Sequence, residues 1–186
     1  IDNHSSSIHL VNTYSAIENI IYSILPPERT GNRWCKQINR NLTENDIRRL
    51  VRSPHNKDIY YLHKMWYKNN YPRFKIGTKY PPVTENEGRY GFNLHALLAL
   101  GHIEMRYHAG TINKDKITNW IWLHLHIMEW VLNKYKSSVV RKIRNTKDFN
   151  KKLSLFFNKL EIPMLLQKYI KFRITRGRIS EDVDDH

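Results

Sequence analysis

The stretch from Lys114 to Lys136, KDKITNWIWLHLHIMEWVLNKYK, decides how the rest of the chain is read. Its positions Ile117, Trp120, Ile121, His124, Ile127, Met128, Val131, Leu132 and Tyr135 recur at intervals of three and four. That interval marks one face of an α-helix, because about 3.6 residues complete a turn. Toward the C-terminus, Thr146 is expected to open a helix carrying Phe149, Leu153, Phe156 and Leu160. Pro163 then starts a last one with Leu166, Tyr169 and Ile170, since a helix tolerates proline in its first turn. Toward the N-terminus, Asn93 reads as the cap of a helix over 94–109 and Gly110 as its left-handed stop. Together these form a three- or four-helix bundle over residues 93–175, with an acidic-ended tail over 176–186. No stretch alternates convincingly with period two. The fold class expected is all-α.

Residues 1–92 read as a helical arm. Leu10, Val11, Tyr14, Ile17, Ile20, Ile21 and Ile24 lie at helical spacing until Pro26-Pro27 stops the run. This face is wide and its polar side lacks cations, so the helix should pack against protein, another subunit included. Thr43 with Asp46 marks a helix start, with Ile47, Leu50 and Val51 inward and Arg48, Arg49 and Arg52 outward. A further helix is expected over 57–69, bearing Ile59, Leu62, Met65 and Trp66. Residues 71–92, with three prolines and three glycines, read as a linker between arm and bundle.

Charge is the strongest compositional fact. Lys and Arg number 31 against 17 Asp and Glu, a net +14 over 186 residues. Such an excess repels itself unless an anionic partner neutralises it, and nucleic acid is the commonest such partner. The cations begin only at residue 29. Arg29, Arg33, Lys36, Arg40, Arg48, Arg49, Arg52, Lys57, Lys64, Lys68, Arg73, Lys75 and Lys79 form one long run, interleaved with Tyr60, Tyr61, Tyr67 and Tyr71. That spacing would set cations on one flank of successive turns, where phosphates along a groove are met repeatedly. A second run from Lys134 to Lys152 fits a solvated face, a second nucleic-acid contact or a lipid-facing patch. With no helix-turn-helix, zinc-finger or RRM motif, binding should be independent of base sequence.

Signals for chemistry are weaker. His124 and His126 point about 200° apart on a helix, and Glu104 with His108 at four residues' spacing gives two metal ligands at best. Cys35 is the only cysteine, which excludes an internal disulfide. There is no Gly-x-Ser-x-Gly and no phosphate-loop Gly-Lys-Ser/Thr. Carboxylates are sparse in the body of the chain. These features favour a non-catalytic protein without metal or cofactor. No long apolar run marks a signal peptide or membrane span, so the chain reads as soluble, and its start at Ile1 leaves room for a segment upstream.

The segment Lys79 to Gly110, KYPPVTENEGRYGFNLHALLALGHIEMRYHAG, and the order of basic arm, proline-rich link and bundle resemble the major capsid proteins of filamentous archaeal viruses, the lipothrixvirus type. The resemblance implies a virion location and a coat subunit paired with a second, related one as a dimer. It further implies neighbouring subunits in a helical assembly, arms wrapping A-form double-stranded DNA, and a lipid envelope outside. By position, Arg29 to Lys79 would be the wrapping arm and Asn93 to Thr175 the bundle.

The reading reached is therefore a structural virion coat protein that packages double-stranded DNA through phosphate contacts. Its rivals are a non-catalytic nucleic-acid-binding regulator, a nucleic-acid-processing enzyme and a membrane-associated matrix protein.

Overall fold

The computed structural model describes residues 4–30, 32–52, 59–67 and 89–176. Its elements are α1 (His4–Ser23), α2 (Glu44–Arg52), α3 (Ile59–Tyr67), β1 (Phe92–Asn93), α4 (Leu94–Leu100), β2 (Glu104–Met105), α5 (Lys114–Lys134), α6 (Ser137–Asn145), α7 (Phe149–Lys159) and α8 (Met164–Arg176). Single 3-10 turns occupy Pro27–Arg29 and Ile38–Arg40. The fold is mostly helical, as its periodicity requires. The expected 71–92 linker lies outside the described residues up to residue 88, as does the 176–186 tail beyond Arg176.

The chain divides into two compact units. One comprises Ile1–Ser15 with Gly31–Tyr107, the other Ala16–Thr30 with His108–His186. Helix α1 contributes to both. From Ser6 to Leu25 every side chain except Asn19 is buried or half-buried, which explains a helix with no Lys or Arg on any face.

In the first unit, α2 begins with the reciprocal cap that its sequence announces. The Asp46 amide donates to Thr43 Oγ1 and the Thr43 amide to Asp46 Oδ2, at 3.2 and 2.9 Å. Ile47 and Leu50 turn inward and the three arginines turn out. Helix α3 buries Leu62, Trp66 and Tyr67, and the Trp66 ring meets Tyr90 edge-on at 4.9 Å. Tyr67 and His95 share a hydrogen bond of 2.6 Å between α3 and α4.

The interval 94–109 differs from its expected single helix. Helix α4 stops at Leu100 because Gly101 adopts φ 77°, the left-handed cap assigned above to Gly110. The chain then turns back as β2, antiparallel to β1, pairing Phe92 with Met105 and Asn93 with Glu104. The signal was in the letters: Ile103-Glu-Met-Arg-Tyr-His alternates apolar with polar over six residues. Lys36 adds a parallel bridge to Tyr90. Gly91 lies against Tyr107 so closely that a Cβ there would sit 2.1 Å from the ring.

In the second unit, α5 packs on α8 and α6 on α7. The buried side chains are Leu123, Ile127, Trp130 and Val131 of α5, Val140 and Ile143 of α6, Leu153, Phe156 and Phe157 of α7, and Leu166 and Ile170 of α8. Asn113 caps α5, its side chain accepting from the Lys116 amide. Asp148, and not Thr146, caps α7, since Oδ1 accepts from the Lys151 amide at 2.7 Å while Thr146 closes α6. Arg173 is buried and donates through Nε and Nη2 to the Ile24 carbonyl at 3.3 and 3.2 Å.

Candidate functional site

The two-residue ladder assembles a polar cluster in the first unit. Side chains alternate across a strand, so Glu104 and Arg106 share one face while Met105 takes the other. Antiparallel register sets Asn93 opposite Glu104. Asn93 Nδ2 donates to Glu104 Oε2 at 2.5 Å, and Arg106 Nε donates to Glu104 Oε1 at 2.7 Å. The Arg106 amide anchors to the Gly91 carbonyl at 2.7 Å, which fixes the strand beneath its side chain.

Partial burial alone would raise the Glu104 pKa. The hydrogen bonds from Arg106 and Asn93, with the charges of Arg106 and His102, outweigh it and hold the carboxyl below its usual value. Glu104 is therefore an anion at neutral pH. It and Arg106 are each a little over one-third exposed, so a substrate can reach them. Asn93 is only 3% exposed, and its Oδ1 finds no hydrogen-bond donor. An acceptor this enclosed is out of reach of a substrate, so the groups open to one are the Glu104 carboxylate and the Arg106 guanidinium.

The histidines of α5 serve differently. Burial, with the nearby charge of His108, lowers the pKa of His124 to about 3, so it stays neutral. Its ring meets Trp120 at 4.2 Å, and His108 meets the same indole at 5.0 Å. His126 Nε2 bonds the Leu160 carbonyl at 2.9 Å. Among the described residues, no group of three or more His, Cys, Asp or Glu stands together to hold a metal ion. The helical pairing of Glu104 with His108 does not arise, because Glu104 is on a strand.

The thirteen cations expected to grip phosphate are dispersed over several elements. Arg48, Arg49 and Arg52 gather on α2, where they line a groove with Asn45 and Tyr61. Arg48 also pairs with Glu44 at 2.6 Å. Arg33 and Arg89 both lie over the exposed Trp34 ring, at 4.9 and 3.8 Å. Lys36 stands 6.0 Å above Tyr90. Arg40 and Lys64 are exposed, and Arg29 belongs to the second unit. Lys57, Lys68, Arg73, Lys75 and Lys79 lie outside the described residues. In the second run, Lys134 pairs with Glu161 at 2.5 Å and Arg141, Lys142, Lys147 and Lys151 are exposed. Sequence reasoning took Asn93 as a helix cap and set Glu104 and Arg106 on the helix after it, Glu104 facing His108, so it did not bring the three together.

Residues 2–128 match a protein-family model described as "Putative amidoligase enzyme". No curated protein and no solved structure matches the chain. The match corrects the identification with filamentous-virus capsid proteins, and with it the DNA-packaging function and the virion location. It also overturns the reading as a non-catalytic protein. The net positive charge admitted an anionic partner of any kind, and choosing duplex DNA went further than charge can carry. No helix among the described residues is long and apolar enough to cross a membrane. The matched segment covers more than half of the 186 residues and contains the whole Asn93–Glu104–Arg106 cluster, and the chain belongs to the amidoligase family.

Proposed function

We propose that this chain contributes to an enzyme that joins a carboxylate to an amine, with Glu104 and Arg106 receiving the two reactants and Asn93 holding the Glu104 carboxylate in place. The ionised, part-exposed Glu104 beside the Arg106 guanidinium, inside the segment that matches the family model, carries this reading. An alkyl amine arrives largely as an ammonium ion, and the Glu104 carboxylate accepts its N–H bonds. A carboxylate held below its ordinary pKa is a poor proton acceptor, so Glu104 positions and attracts the amine more than it deprotonates it. Arg106 supplies the complementary charge. Its planar guanidinium suits the oxygens of a carboxylate, and its Nε bond to Glu104 fixes the plane of the fork.

The amine first gives up a proton to water, the C–N bond then forms from its freed electron pair, and the group expelled from the acyl carbon carries away its own pair. A free carboxylate is too poor an electrophile for this, so the reaction requires an activating co-substrate, with a nucleoside triphosphate the commonest class. A metal ion accompanying it would find one carboxylate in this cluster, Glu104.

The test incubates the purified chain with ATP, magnesium and a panel of acids and amines, and searches by mass spectrometry for acid plus amine minus water. A product that depends on nucleotide, acid and amine supports the reading. Nucleotide turnover with no condensed product from any pair contradicts it.

A further inference from the structure

Helix α2 carries three arginines within two turns, Arg48, Arg49 and Arg52. With Asn45 and Tyr61 of α3 they line an open groove of about 510 Å³, which lies in the size range of small-molecule sites. Among the described residues that line it none is aliphatic, and three carry a positive charge. Like charges one turn apart weaken a helix, and Arg48 and Arg52 have that spacing. The acids at the start of α2 relieve little of this. Asp46 caps the helix with Thr43, and Glu44 pairs with Arg48. Among the described residues, Arg49 and Arg52 make no ion pair.

We propose that this groove is a binding site for a compact oligophosphate, held by the three guanidiniums with Asn45 and Tyr61 as neutral donors. The three cations among the described lining residues are all arginines, which favours an anion that presents several oxygens to planar forks. Arg48 and Arg52 are about 6 Å apart along the helix axis, comparable with the span between the end phosphates of a triphosphate. A lone carboxylate would occupy one fork and leave two charges uncompensated. The proposal concerns the α2–α3 face and does not depend on the reading of the β1–β2 cluster, because binding is measured without turnover.

Isothermal titration of the full chain with inorganic triphosphate at physiological ionic strength tests it. The wild type should bind one triphosphate saturably. The variant Arg49→Gln/Arg52→Gln should bind on the order of 100-fold more weakly, since each charge-assisted bond lost costs roughly tenfold. Tyr61→Phe should show a smaller loss. Arg141→Gln/Lys142→Gln, which removes the same charge from exposed positions on α6, should leave affinity unchanged. Equal weakening by both double variants would show diffuse charge attraction and overturn the proposal. Absence of wild-type binding, or tighter binding of a tricarboxylate or duplex DNA through Arg49 and Arg52, would overturn it as well. All the substituted arginines and the lysine are exposed, so circular dichroism should confirm an unchanged fold.

Discussion

Asn93 and Glu104 stand opposite each other on the β1–β2 ladder, and the Asn93 amide donates to the Glu104 carboxylate across 2.5 Å. The pair ties the end of one strand to the start of the next and keeps the carboxylate ionised. Its burial on the Asn93 side makes it sensitive to a change that leaves shape intact.

Asn93→Asp makes that change. The donor becomes a second carboxylate, and like charges at hydrogen-bond distance force one carboxyl to retain its proton, so a pKa rises. A raised pKa contributes stability below its unfolded value near 4 that is lost as pH climbs through the folded one. In the wild type, Glu104 has a lowered pKa and acts oppositely, stabilising above about 4.5 and losing that contribution as pH falls. Urea midpoints measured from pH 4 to pH 7 should therefore show Asn93→Asp losing stability relative to wild type as pH rises. A constant difference across that range would count against the pairing.

Gly91→Ala is expected to destabilise by about 2 kcal/mol or more, because its Cβ would enter the Tyr107 ring at 2.1 Å and backbone must shift to admit it. Chemical denaturation measures the loss. A fully tolerated alanine would show that Gly91 and Tyr107 are not held in contact.

Acid should weaken the second unit through His124. Its pKa is lowered to about 3 in the folded chain, against an ordinary value of 6.5, so the unfolded state binds a proton that the folded one refuses. Its contribution is intact above about pH 6.5 and declines toward pH 3. At pH 5 the loss is on the order of 2 kcal/mol. His124→Phe should flatten the pH dependence of the melting temperature between pH 7 and pH 5, and an unchanged slope would show that the acid sensitivity lies elsewhere.

Removing the buried guanidinium of Arg173 should also be felt. Arg173→Met keeps most of the stem and deletes two hydrogen bonds to the Ile24 carbonyl, at an expected cost of about 2 kcal/mol in a urea titration. A neutral substitution would mean that the carbonyl finds an equivalent donor.

The helices were legible as helices wherever an apolar stripe was long, and Ile47 and Leu50 behind the Thr43–Asp46 box follow their spacing directly. The face of α5 was read only in part: it buries Leu123 and Trp130 beside the expected His124, Ile127 and Val131, and leaves the expected Ile117, Ile121 and Leu132 exposed. Residues 94–109 were misread because both Gly101 and Gly110 can stop a helix, and only Gly101 turns left-handed at its C-terminus. That choice hid a strand of two residues, and with it the alignment of Asn93, Glu104 and Arg106. The charge run showed an appetite for anions without saying which. Whether cations meet nucleic acid, phosphate or a carboxylate depends on how neighbouring turns converge, and distance along the chain does not record that.

The central claim is that the Glu104–Arg106 pair handles the reactants of amide formation. Its most direct test compares wild type with Glu104→Gln and Arg106→Lys for rate of condensed product, with folding checked by thermal melts. The account expects both variants to melt near the wild type and to lose on the order of 100-fold or more in kcat/KM, a scale set by losing a charge-assisted contact at a reacting group. Wild-type rates in both folded variants would contradict it.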